Sequence, residues 1–111
     1  MAQIPHTRIP AYATAKAALE HLTRCLALEF APAGIRVSAI APGNVAAGSS
    51  LRVFEADQEY REFVLRVAPM GKRNCPKAVA AAFTFLCSDM AAEITGQILR
   101  VDYGVSIPKI G

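Results

Sequence analysis

Tyr12 and Lys16 stand four residues apart in a run of helix-forming residues. In a helix that spacing puts both on one face. Together they suit a proton transfer. A phenol titrates near about 10 and is by itself a poor acid or base at neutral pH. An ammonium one helical turn away favours the phenolate and draws the titration toward the working range. Transfer to or from a carbonyl or alcohol oxygen needs that combination, although the same spacing also arises between solvated side chains. Pro42-Gly43 is the second feature, placed directly after an apolar, β-branched run. The carboxyl end of a strand in an α/β sheet is where ligands gather, and Gly lets the backbone come close. A plain strand-ending turn uses the same two residues. Thr95-Gly96-Gln97 reads, on its own, as an ordinary turn.

Other chemistries find little support. His6 and His21 lack neighbouring Cys, His or Asp at ligand spacing, so no metal site is expected. Cys25, Cys75 and Cys87 are odd in number, form no CxxC pair, and in two cases lie in apolar, helix-like runs. Reduced, buried thiols in a cytoplasmic protein are the expectation. Twelve Lys and Arg against nine Asp and Glu give a net charge of +3, scattered along the chain. Nucleic-acid binding would need those charges clustered. No apolar run approaches the roughly 20 residues of a membrane span, and the start, Met1 to His6, has no apolar core of a secretory signal. With 53% hydrophobic residues and 19% charged, the 111-residue chain is not disordered and fits one domain.

The elements that must position these residues follow from spacing. Residues 1–10 read as irregular. From Ala11 to Phe30, Ala15, Ala18, Leu19, Leu22, Leu26 and Phe30 recur at helical spacing, with a second apolar line through Ala13, Ala17 and Leu28. A helix apolar on two sides packs against two partners. Ala31-Pro32-Ala33-Gly34 stops it. Ile35 to Ala41 is read as a strand covered on both faces, and Asn44 to Ser50 as a loop. Leu51 to Val67 is read as one helix or two short ones, and a helix starts at Pro76 and closes at Ser88-Asp89. Gln97 to Asp102 is a last strand. Two buried strands joined by a helical crossover make a parallel βαβ unit. Two strands make a poor sheet, so the architecture reads as incomplete.

Taken in order, Tyr12-Ala13-Thr14-Ala15-Lys16, Leu28-Glu29-Phe30-Ala31, Gly34-Ile35-Arg36-Val37 and Ala41-Pro42-Gly43-Asn44-Val45 resemble the short-chain dehydrogenase/reductase family. So do Phe85-Leu86-Cys87-Ser88-Asp89, Ile94-Thr95-Gly96-Gln97 and Val101-Asp102. The match runs from about Ile9 to Ile107. It implies a partial Rossmann-type doubly wound parallel sheet, represented by its last two strands and their helices. Residues 1–111 would then be the carboxyl-terminal part of a single domain whose amino-terminal cofactor-binding half is absent.

The resemblance also implies roles. Tyr12 is similar to the family's catalytic acid/base, which also meets the cofactor, and Lys16 to the lysine that holds the nicotinamide ribose and assists the tyrosine. Pro42, Gly43 and Val45 match the segment lining the nicotinamide, and Ala46 to Val67 the variable substrate lid. The expected cofactor is NAD or NADP, and the substrate a small carbonyl or secondary alcohol. The Tyr12–Phe30 helix resembles the one that meets a second subunit, implying a homo-oligomer. Departures are equally plain. No GxxxGxG phosphate loop or upstream catalytic Ser is present, Ala47 stands where a Thr commonly meets the cofactor, and Tyr103 stands where Gly is usual. Met1 is therefore read as a misplaced start or the start of a truncated gene, and the isolated chain is expected to be inactive. The competing expectation is a non-catalytic fragment that serves only as a subunit-interaction module, or a gene remnant.

Overall fold

The computed structural model describes residues 9–108. Their order is helix α1 (Pro10–Phe30), strand β1 (Ala39–Pro42), helices α2 (Gly48–Ala56), α3 (Gln58–Val67) and α4 (Pro76–Cys87), and strand β2 (Ile98–Val101). Short 3-10 turns at Ala31–Ala33 and Asp89–Ala91 follow α1 and α4. The sequence reading of residues 1–10 falls outside the described residues except at Ile9 and Pro10. Strands β1 and β2 pair side by side in parallel. The Ala39 N–H donates to the Gln97 carbonyl at one end, and the Gly43 N–H donates to the Val101 carbonyl at the other, both at 2.9 Å.

The chain divides into two compact units, one from Met1–Ala39 and Phe85–Leu99, the other from Ile40–Thr84 and Arg100–Gly111. In the first, α1 opens with Pro10 at its first position, where a missing N–H costs nothing. It ends through the 3-10 turn at Gly34, whose φ of 72° is left-handed and whose N–H returns to the Ala31 carbonyl. Thr23 and Ala27 are its buried residues. A Cβ on Gly96 would lie 3.5 Å from the Ala27 Cβ, which marks where that face packs. The expected strand start at Ile35 moves to Ala39 because of contacts with a distant segment. Val37 N–H bonds to the Thr95 hydroxyl and Gln97 N–H to the Ser38 hydroxyl, so side chains share the ladder there with a backbone bond from the Gly96 N–H to the Val37 carbonyl at 2.7 Å. Arg36 donates to the Leu86 carbonyl at 2.7 Å and the Ser88 carbonyl at 3.4 Å, satisfying acceptors left at a helix end.

The second unit holds α2 and α3. They are two helices because Asp57 is extended and serves both ends. Its carboxylate accepts from the Tyr60 N–H, and its own N–H donates to the Val53 carbonyl. Arg61 closes the end of α2 by donating to the Phe54 and Glu55 carbonyls at 3.0 and 2.8 Å. Helix α2 starts at Gly48, shortening the loop expected from Asn44 to Ser50.

Burial corrects two expectations. The buried apolar residues are Ala27, Val64, Ala68 and Ala91, whereas Leu19, Leu22, Leu28, Ile35, Phe83 and Phe85 are exposed. The strands are half-exposed instead of covered on both faces. Cys25, Cys75 and Cys87 are free and exposed, not buried. Their runs are apolar as read, but in this chain those faces have little laid against them.

Candidate active site

Tyr12 is the third residue of α1 and Lys16 lies one turn on. The Lys16 ammonium sits 5.5 Å from the centre of the Tyr12 ring, within the range of a cation–π contact. Tyr12 is half-exposed, so its phenol is open to a ligand. Ile9 precedes the helix and offers no side-chain cap. The sequence-read pair is therefore adjacent and accessible.

Pro42, Gly43 and Val45 belong to the other unit. Gly43 is needed there for a packing reason. A Cβ would stand 2.8 Å from the Asn74 Oδ1, 2.9 Å from the Asp102 Cα and 3.0 Å from the Asp102 Cβ. The backbone leaving β1 thus passes tightly against Asp102 and the buried Asn74. Val45 forms a parallel bridge with Asn74, through the Asn74 N–H to the Asn44 carbonyl at 3.0 Å and the Ala46 N–H to the Asn74 carbonyl at 2.9 Å. The segment expected to face a nicotinamide is held on its protein side by 69–74 and Asp102.

Sequence reasoning missed what surrounds that segment. The Arg73 Nε donates to the Asn44 Oδ1 at 2.7 Å, and its Nη2 donates to the Ser50 hydroxyl at 2.8 Å and the Val45 carbonyl at 3.1 Å. Its guanidinium lies 4.0 Å from the centre of the Phe54 ring. Asn44 in turn accepts from the Ser50 hydroxyl and donates to the Tyr60 hydroxyl. No local signal marks Arg73, because its partners lie 23 to 29 residues away.

Asp102 closes the segment from below. Burial raises its carboxyl, but the Ser106 hydroxyl, the Gly104 and Ser106 N–H groups and the Arg100 charge outweigh that and hold it below the usual 3.8. The turn it anchors needs two left-handed residues, Tyr103 (φ 51°) and Gly104 (φ 83°), closed by the Val105 N–H on the Asp102 carbonyl.

An open depression of about 500 Å³ lies among Leu51, Phe54, Leu65, Lys72 and Arg73, and none of the five sequence-read site residues lines it. No group of three or more potential metal ligands occurs among the described residues, which do not include His6. No described helix is long and apolar enough to cross a membrane.

The family model described as enoyl-(acyl carrier protein) reductase matches residues 1–106. The chain is 44% identical over 104 residues to a 3beta-hydroxysteroid dehydrogenase of Eggerthella lenta, covering 94% of this chain and 40% of that protein. Among solved structures it resembles the NADPH-bound short chain oxidoreductase of Pseudomonas aeruginosa PAO1 with an atypical catalytic centre. That likeness has a TM-score of 0.82 and 34% identity, over 97% of this chain and 43% of that one. It also resembles 4-hydroxyisoleucine dehydrogenase complexed with NADH, with a TM-score of 0.83 and 27% identity, over 89% of this chain and 40% of that one. The chain thus spans about 40% of the length of the relatives it matches. The architecture is a partial Rossmann-type α/β fold, and the chain belongs to the short-chain dehydrogenase/reductase family.

Proposed function

We propose that the chain carries the acid/base half of an NAD(P)-dependent oxidoreductase site acting on a ketone or secondary alcohol. The observation that carries this reading is the accessible Tyr12 phenol with the Lys16 ammonium against its ring. When bound, the nicotinamide cofactor supplies or accepts the hydride. Tyr12 gives its phenolic proton to the oxygen that develops charge in reduction, and takes it back in oxidation. Lys16 stabilises negative charge on the phenol oxygen and donates to the ribose hydroxyls. Pro42, Gly43 and Val45 face the nicotinamide, and the segment Ala46 to Val67 covers the substrate.

These residues fit the nicotinamide end of the cofactor only. A pyrophosphate wants backbone N–H groups from a Gly-rich turn at a helix start, and no such turn occurs in the sequence. We therefore read residues 1–111 as the carboxyl-terminal part of one domain, with phosphate binding supplied by residues outside it. The direct test is a chimera in which residues 9–106 replace the matching segment of the hydroxysteroid dehydrogenase relative. A folded chimera that reduces NAD(P)+ with a secondary alcohol supports the reading. A folded chimera that binds cofactor and shows no turnover contradicts it.

A second reading has its own observation. Leu19, Leu22, Leu28 and Phe30 of α1 are exposed, with Leu28 at 79%. Such a surface suits contact between subunits, so a non-catalytic interaction module built on α1 is the alternative. Light scattering separates the two. A stable homodimer of the chain that unfolds cooperatively and has no measurable affinity for NADH or NADPH favours the module.

A further inference from the structure

Helix α2 begins badly. Its N-cap position is Ala47, extended at φ −152° and ψ 157°, with no side-chain hydrogen bond. An alanine has no oxygen to offer the unpaired N–H groups of a first turn. The next residue, Gly48, has a φ of 55°, and Ser49 and Ser50 are weak helix formers. On these local terms the turn should fray.

What holds it comes from another part of the unit. One guanidinium reaches the Ser50 hydroxyl in the first turn of α2, the Asn44 side chain and Val45 carbonyl in the loop before it, and the Phe54 ring in its last turn. Ser50 and Asn44 are also bonded to each other at 3.1 Å. Asn44 extends the set to Tyr60 on α3 at 2.9 Å. Asn44 Oδ1 thus accepts two hydrogen bonds, which saturates a carbonyl oxygen. A planar fork with several fixed donors can make these contacts at once, and a flexible ammonium cannot.

We propose that Arg73 is a positioning residue that ties the first turn of α2, through the Ser50 hydroxyl, to Asn44 and Val45 in the segment Pro42–Val45. Its consequence for substrate rests on the function proposed above, in which α2 is part of the substrate cover. With Arg73 in place, the cover and the loop that would meet the nicotinamide move as one piece. Without it, α2 frays from its first turn and the cover loses its registration on that loop.

The test compares Arg73→Met and Arg73→Lys in the 111-residue chain, by amide hydrogen exchange. The Leu51 N–H, bonded to the Ala47 carbonyl at 3.2 Å, reports the first turn. Arg73→Met should speed its exchange roughly fivefold, the scale of losing one hydrogen bond. Amides in the middle of α4 should change less than twofold. Arg73→Lys should keep less than half of the protection, because an ammonium cannot hold the same fork of contacts. Unchanged Leu51 exchange in Arg73→Met overturns the proposal, and so does full protection in Arg73→Lys. Should Arg73→Met unfold the chain, Ser50→Ala removes one arm of the fork and carries the same expectation.

A separate readout addresses function. In the active chimera, Arg73→Met should raise the substrate KM five- to tenfold and leave kcat within twofold. A fall in kcat with KM unchanged contradicts the role as a cover support. An inactive chimera alongside the expected exchange pattern sinks the proposed function and leaves the tie between Arg73 and α2 standing.

Discussion

The two units solve opposite problems. In the first, Tyr12 and Lys16 meet each other along α1, and Leu19, Leu22, Leu28 and Phe30 stay exposed. In the second, the loop from Pro42 to Ser50 is cross-braced by Arg73, Asn44, Asn74 and Asp102. The chemistry-bearing pair thus rests on a regular element, whereas the loop proposed to face the cofactor depends on long-range contacts. Changes to the pair should cost function and spare stability. Changes to the brace should cost stability and reach function through KM, with kcat spared.

The largest stability effect should come from the brace. Gly43→Ala drives a methyl group against Asn74 and Asp102, and overpacking of this kind costs about 1–3 kcal/mol. Urea unfolding would show it as a lower midpoint. The corresponding change on the other side, Lys16→Met, touches an exposed side chain and should stay within about 0.5 kcal/mol. Equal losses for both would erase the contrast.

Next is the turn below the loop. Tyr103 adopts φ 51°, a conformation that costs an L-residue roughly 1–2 kcal/mol. Part of that is regained because Gly loses more entropy on folding. Tyr103→Gly should therefore stabilise the chain by about 0.5–1 kcal/mol in the same assay. A loss of stability would mean that contacts of the Tyr103 side chain outweigh the strain.

The smallest effect is one of pH. The Asp102 carboxyl titrates lower in the fold than its ordinary 3.8. A depressed folded value means that the carboxylate contributes stability above the unfolded pKa, and that this is lost as pH falls through the folded one. Stability should therefore decline below about pH 4, and Asp102→Asn should flatten that part of the profile. An unchanged acid limb in the variant would assign the decline to other carboxylates.

Which parts were readable follows from how far each cause reaches along the chain. Helix α1 was legible because its apolar spacing, its Pro10 start and its Gly34 stop all lie within the element. The Tyr12–Lys16 pair came with it, since helical geometry alone sets that proximity. The strand start was misplaced by four residues because Thr95 and Ser38 hydroxyls take part of the ladder at Val37 and Gln97, an exchange between segments 58 and 59 residues apart. The division of residues 51–67 was half-legible, as Asp57 is a good cap but Arg61 acts on the helix before its own. Arg73 was invisible, since its partners meet it only in the fold. The thiols were misread as buried because an apolar run predicts a face and not whether anything covers it. Tyr103 was legible as a departure from a usual Gly, and its positive φ supplies the reason that Gly is the easier residue there.

The measurement closest to the central claim is the turnover of the chimera carrying Tyr12→Phe. Losing a positioned general acid/base lowers kcat by about 10²–10⁴-fold. The account predicts that loss with the melting temperature unchanged, since the Tyr12 side chain is half-exposed. A kcat within a few-fold of the parent chimera would contradict it, and would place the proton transfer on another residue.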